Sequence, residues 1–194
     1  SASPRFGNQT DQKLNASCDS FVLETDVHYP TDINLLFDAM RKTIVLIMTL
    51  CDQLGLPGWR KGVDHSKKAK RLFRKAQQLK RSTSKKDVKK AKREQLIIAA
   101  HLAYLDLALA LVGKAKESLL SISSSDIVVA LKIDEINRYI AHAERQMDQI
   151  HRRVVEGETI PHNEKVFSIF EEHTEWISKG KAGVSQELGL KVCI

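Results

Sequence analysis

Cysteine is scarce in this sequence, and its spacing excludes two classes of protein. The 194 residues include three cysteines, Cys18, Cys51 and Cys193, and no two of them lie close together in the chain. A small disulfide-linked domain needs a dense, even set of cysteines, and a structural zinc site needs closely spaced pairs. The spacing therefore indicates reduced thiols in a cytosolic protein.

Long uninterrupted apolar runs are also missing. A membrane-spanning helix needs about 20 consecutive, predominantly apolar residues. The most apolar stretch, residues 95–112, is interrupted by His101 and Asp106. The first ten residues, SASPRFGNQT, lack the basic and then apolar layout of a secretion signal. We therefore expect a cytoplasmic protein that has no membrane partner.

Acidic residues are outnumbered by basic ones. The chain has 31 Lys and Arg against 24 Asp and Glu, which gives a net charge of +7. Sixteen of the basic residues lie within residues 59–93, where the only acids are Asp64 and Asp87. This excess is more than salt pairing along helices would use, so it favours binding to a polyanion such as nucleic acid. The alternative is a solvated helix face.

Hydrophobic spacing predicts an α+β fold that is mostly α-helical by residue count. Alternation over about eight residues, up to Val27, predicts a first strand that Tyr29 and Pro30 end. Apolar residues at 3–4 spacing predict four helices, at about 32–54, 64–81, 86–118 and 126–156. The segments KVFSIFEEHTEWI (165–177) and ELGLKVCI (187–194) predict two further strands.

These elements predict one domain over residues 18–194, in which a basic, helical insertion at about 58–156 separates strands of one sheet. Residues 1–17 are polar and are interpreted as a linker or a severed N-terminal segment. The sequence begins at Ser1 without a methionine and stops at Ile194 inside an alternating apolar pattern. We therefore expect a fragment of a longer protein.

Several ionisable residues cluster before the first helix. Asp19, Asp26, His28 and Asp32 lie within fourteen residues. On spacing alone Asp19 is a turn residue before a strand, and Asp26 should point to the opposite face of the sheet. His28 is expected to order the bend before the helix, and Asp32 is expected to be the helix N-cap.

Two segments carry a resemblance to a known family. The stretches DSFVLETDVHYPTDINLLFDAMR and PHNEKVFSIFEEHTEWISKGKAGVSQELGLKVCI resemble insertion-sequence transposases of the ISNCY-like grouping. Such enzymes have an RNase H-like catalytic core with a DDE-type acidic triad. The resemblance implies a partial RNase H-like core here, truncated at both ends, with Asp19 as the first catalytic acid and metal ligand.

The implied chemistry is Mg²⁺-dependent phosphoryl transfer, which cleaves and joins DNA strands. Two divalent cations about 3.5–4 Å apart serve such reactions, and one carboxylate cannot hold both. The resemblance implies that the remaining acids follow Ile194, so we expect this chain by itself to be inactive. The implied partners are duplex DNA, as terminal inverted repeats and target DNA, and further copies of the intact enzyme. The implied location is the bacterial cytoplasm, on the nucleoid when DNA is bound.

The basic segment supplies the expected DNA contacts, which should be phosphate contacts with little base preference. The residues predicted to bind DNA are Lys67, Lys68, Lys70, Arg71, Arg74, Lys75, Lys85, Lys86, Lys89 and Lys90, with Lys179 and Lys181 in the SKGKAG connection. Trp176 is interpreted as a core or rim residue rather than a base-stacking platform. Two alternatives remain open: a non-enzymatic helical nucleic-acid-binding module and an RNase H-like nuclease.

Overall fold

The protein combines a long helical part with a small antiparallel sheet. The structure, a computed structural model, describes residues 20–27, 29–81, 87–178 and 186–193. The elements in chain order are β1 (Ser20–Glu24), α1 (Asp32–Gln53), α2 (Gly62–Arg81), α3 (Asp87–Leu120), α4 (Ile127–Val154), β2 (Glu175–Ser178) and β3 (Gln186–Cys193). The α+β class and the four predicted helices are confirmed.

The four helices pack as an antiparallel bundle in which each helix contacts the next and α4 returns to α1. Short connections favour antiparallel neighbours. Side-chain contacts fix the α1–α4 direction, since Lys132 donates to Gln53 (2.5 Å) at one end and Arg153 pairs with Asp32 (2.7 Å) at the other. The first turn of α1 therefore lies at the same end of the bundle as the last turn of α4.

The core follows the predicted apolar faces of α1 and α4. On α1, Leu36, Met40, Ile44 and Ile47 are fully buried. The α4 residues buried in the same core are Ile136, Ile140, Ala143 and Ile150. Burial of such side chains, at roughly 1.5–3 kcal/mol each, stabilises the bundle far more than helix propensity does.

The cap of α1 differs from the prediction. Thr31 is the N-cap, in extended geometry, and its hydroxyl accepts from the Asn34 amide at 3.3 Å. The prediction that Asp32 is the N-cap was wrong, because its carboxylate turns to the Arg153 guanidinium on α4. Asp126 caps α4, where its side chain accepts from the Val128 amide at 2.8 Å.

The three strands form one antiparallel sheet in the order β1-β3-β2. The last strand is central, pairing Leu190 with Leu23 of β1 and Leu188 with Trp176 of β2. A single sheet whose first two strands are separated by the helices was predicted. The first strand is shorter than expected, with five residues.

The prediction of a strand over residues 165–177 was largely wrong. Only its last residues belong to β2, and His173 lies outside the strand. The hydroxyl group of Ser168 accepts from the amides of Phe170 (3.2 Å) and Glu171 (2.9 Å), which turns the chain. Ile169 then packs into the helical core. This local turn competes with strand pairing.

Beyond its charged first turns, helix α3 carries apolar residues on both its buried and its exposed faces. Tyr104 and Ala108 are fully buried, whereas Leu96 and Leu109 are more than half exposed. By length and composition alone, the stretch Lys89–Leu120 is apolar enough to cross a membrane, and 39% of its most apolar 18 residues are buried. Core helices of soluble proteins share this length and composition.

Candidate nucleic-acid interface

One face of α2 carries a continuous stripe of cations. The members recur at helical spacing, are all exposed, and line a shallow concavity of about 460 Å³ together with Gln78: Lys67, Lys70, Arg71, Arg74 and Lys75. We call these five residues the cation stripe. The opposite face of α2 buries Ala69 and Ala76 against the bundle. The amphipathic spacing therefore places the cation stripe on the solvent side.

The cation stripe is almost unpaired within the described part of the chain. The one ion pair that the described residues give it joins Lys67 to Asp64 at 4.0 Å, with both side chains about three-quarters exposed. Arg152 on α4 is the opposite case, since it lies within 3.2 Å of Glu164, Glu158 and Asp148. These carboxylates raise the pKa of Arg152 above its ordinary value, Glu164 most strongly.

A positive field extends to the start of α2. Burial and the ammonium group of Lys114 lower the pKa of His65, and Lys68 and Lys61 act in the same direction. Lys68 is itself exposed. The neutral form of His65 is therefore favoured beside this cationic surface.

The N-terminal part of α3 is hydrogen-bonded to the C-terminal end of α2. Arg93 donates to the carbonyl oxygen of Leu79 at 2.9 Å, which satisfies a C-terminal carbonyl of α2. Lys89 and Lys90, one turn earlier on α3, are exposed. Together α2 and the N-terminal half of α3 form a basic helical hairpin.

This hairpin extends past the rest of the bundle. The phenol of Tyr104 donates to the carbonyl of Ile33 at 3.4 Å, so this point of α3 lies level with the first turn of α1. Helix α3 begins seventeen residues before Tyr104, at Asp87. At 1.5 Å per residue, its N-terminal part extends on the order of 20 Å beyond α1. Cations on the hairpin are therefore accessible to a large ligand.

Several predicted site residues lie outside the described residues: Asp19, His28, Lys85, Lys86, Lys179 and Lys181. Their predicted roles stay predictions. Asp26 is described, and it is exposed just beyond β1. Within the described ranges, no group of three or more His, Cys, Asp or Glu side chains could hold a metal ion. The Mg²⁺ expectation depends on Asp19, and the described residues do not test it.

A second feature, which sequence reasoning missed, is an aromatic cavity beside the sheet. Its volume is about 350 Å³, and its rings come from Tyr29, His162, Phe167 and Trp176. Trp176 meets Tyr29 edge-to-face and Phe167 at a tilt, with 5.8 Å between centroids in each pair. The ring centroids of His162 and Phe167 lie 5.3 Å apart. Trp176 is half-buried at the rim of this cavity, in agreement with its predicted core or rim position.

Polar groups of the cavity are held by the bundle. Asp32 lines it while paired with Arg153. Gln149 also lines it, and its side-chain amide donates to the carbonyl oxygen of Glu164 at 2.6 Å. Lys165 is an exposed cation at the same cavity. The cavity thus combines ring surfaces, one neutralised carboxylate and one ammonium group.

Comparison of the chain with protein-family models, with curated proteins and with solved structures found no match.

Proposed function

We propose that this protein binds DNA through the basic hairpin as part of a DDE-type transposase. The observation that carries the DNA-binding step is the cation stripe, whose five exposed side chains share one face and one long ion pair among the described residues. Cations at this spacing can pair with the phosphates of a DNA backbone, and phosphate contacts carry no information about base sequence. Lys68, Lys89 and Lys90 add positive charge nearby.

The catalytic part of the proposal rests on the resemblance described above and on Asp19. The proposed RNase H-like core would contain β1 and β3, with Asp19 immediately before β1. In the intact enzyme Asp19 would act as a metal ligand, where bound Mg²⁺ supplies activation of the attacking water or 3′-hydroxyl group. The same hairpin would serve the two alternatives, a nuclease or a non-enzymatic binding module.

Salt-dependent binding to duplex DNA tests the first step. A labelled duplex of about two helical turns is titrated between 50 and 200 mM NaCl, and fluorescence anisotropy gives the affinity. Each phosphate neutralised contributes about 0.9 to the slope of log K against log salt, so five contacts contribute about 4.5. Over this fourfold range of salt, that slope corresponds to a loss of about 500-fold in affinity.

The test compares two variants of equal net charge. One replaces the cation stripe with Gln, and the other replaces five cations of α1, α3 and α4 with Gln: Arg41, Lys116, Lys132, Arg138 and Arg145. The stripe variant should lose most of the slope, whereas the control should keep it within about one unit, because its cations lie on other faces. Equal slopes in the two variants would show that net charge alone drives binding and would reject the hairpin.

Catalysis is tested separately in the full-length gene product. Asp19→Asn should abolish Mg²⁺-dependent strand cleavage and leave the salt slope unchanged, because the substitution removes a metal ligand and no phosphate contact. Cleavage that survives in Asp19→Asn would favour the binding-module alternative or another catalytic centre. Cleavage without joining of strands would favour the nuclease.

A further inference from the structure

The aromatic cavity has the composition of a binding site rather than of a packed core. Tyr29 is 67% exposed although it is an aromatic residue, and Phe167 and Trp176 are only half-buried. Their rings border an open volume of about 350 Å³, which is within the size range of small-molecule sites. Ring faces left open in this way are available to stack on a planar group.

The charges that line the cavity decide whether it suits an organic cation or a planar group that carries a phosphate. An organic cation would need the aromatic faces and an uncompensated carboxylate. Among the described residues, one carboxylate lines the cavity, that of Asp32, and it is bound to Arg153 at 2.7 Å, while Lys165 would repel a cation. A planar group that carries a phosphate fits better, because the rings can stack on it and Lys165 can pair with the phosphate.

The position of the cavity relates it to the basic hairpin. Asp32 and Gln149 place it at the end of the bundle where α1 begins and α4 ends. The N-terminal part of α3 extends beyond the same end, as the Tyr104 contact with Ile33 requires. A nucleic acid held along the hairpin therefore has access to the cavity.

We propose that the aromatic cavity receives one unstacked nucleobase of the bound DNA, stacked on Trp176 with the ring of Tyr29 against its edge and with Lys165 at the adjacent phosphate. This inference rests on the proposed DNA binding, and it adds a base-binding site to the phosphate-binding hairpin. Stacking on aromatic rings accepts any base, so the site recognises an unpaired or distorted position rather than a sequence.

The test compares two duplexes that differ only in one central unpaired base. Wild-type protein should bind the duplex with the unpaired base about 5- to 150-fold more tightly than the fully paired one, which is the range that one stacked base contributes. Tyr29→Ala and Trp176→Ala should lose this preference while keeping the affinity for the paired duplex. Trp176→Phe should retain part of it, because a ring remains. Tyr29 is largely exposed, so its variant separates loss of stacking from loss of folding.

Tryptophan fluorescence gives a second readout. The chain contains two tryptophans, and Trp59 is buried at 3% exposure with its indole donating to Ser118 at 2.9 Å. A Trp59→Phe background therefore leaves Trp176 as the sole emitter. The unpaired-base duplex should quench this emission more strongly than the paired duplex does.

The outcomes separate this inference from the proposed function. Equal affinity for both duplexes would overturn the base site and leave DNA binding intact. A preference that persists in Tyr29→Ala and Trp176→Ala would place the base elsewhere and overturn the assignment. Quenching of Trp176 by tetramethylammonium but not by the unpaired-base duplex would identify a cation site instead. Binding to neither duplex would reject the proposed function, and the inference with it.

Discussion

Two glutamines on the buried side of α4 should respond in opposite ways to the same substitution. Gln146 is fully buried, and neither its amide nitrogen nor its amide oxygen has a hydrogen-bond partner within the described ranges. Gln149 is 3% exposed, and its amide donates to the carbonyl of Glu164 at 2.6 Å. We expect Gln146→Met to stabilise the fold and Gln149→Met to destabilise it.

The magnitudes follow from the hydrogen bonding of each amide. A buried polar group without a partner costs roughly 1–3 kcal/mol, and methionine has a similar length and flexibility without that cost. Gln146→Met should therefore raise the free energy of unfolding by about 1–3 kcal/mol. Gln149→Met leaves the carbonyl of Glu164 without its donor, so it should lower the free energy of unfolding by about 1–3 kcal/mol. For a chain of this length, each kcal/mol corresponds to about 2–4 °C in Tm.

Urea denaturation followed by circular dichroism at 222 nm measures both effects. The slope of unfolding free energy against urea should be the same in wild type and variants, since neither substitution changes the surface exposed on unfolding. Each variant serves as the control for the other, because residue type, helix and burial are matched. A fall in stability for Gln146→Met, or shifts of the same sign in both variants, would refute the reasoning.

Two further predictions concern the sheet and the pH dependence. Gly189→Ala should lower the unfolding free energy by about 1–3 kcal/mol in the same urea assay, because the added Cβ would overlap the carbonyl oxygen of Leu23 and lie 2.8 Å from Val22 Cγ1. His65→Gln should reduce the loss of stability below pH 6.5 in urea titrations between pH 5 and 8. The folded pKa of His65 is lowered, so the unfolded state binds more protons, and wild-type stability is full above about 6.5 and falls with acidification. An unchanged pH profile in His65→Gln would contradict this assignment.

The helices could be predicted because their apolar residues recur at a spacing of three to four along the chain. Ile136, Ile140, Ala143 and Ile150 recur on one face of α4, and no distant residue is needed to infer that the face is buried. The sequence could also place the cation stripe on α2, since Ala69 and the cations alternate with helical spacing. The spacing of residues along the chain was sufficient to predict those features that depend on the face of a single helix.

The features that could not be predicted depend on contacts between residues that are far apart in the sequence. Thr31 and Asp32 are both competent helix caps, and the choice depends on Arg153, which lies more than a hundred residues away. Tyr29 and Trp176 are similarly remote in sequence, yet their rings meet at 5.8 Å. Residue spacing describes neighbours along the chain, so it could not predict the aromatic cavity, whose rings come from distant segments.

The cation stripe is unfavourable for the helix that carries it, and this is the strongest physical reason to expect an external partner. Three like-charged pairs lie at i,i+4 along the stripe: Lys67–Arg71, Lys70–Arg74 and Arg71–Lys75. Each such pair destabilises a helix by about 0.2–0.5 kcal/mol, so the three together cost about 1 kcal/mol. The described carboxylates offset little of this, since the one pair at Asp64 is long and exposed. On α4, in contrast, Arg152 contacts three carboxylates. The described contacts therefore leave the charge of the stripe as a net cost to the helix, and a polyanion bound along α2 would remove the repulsion.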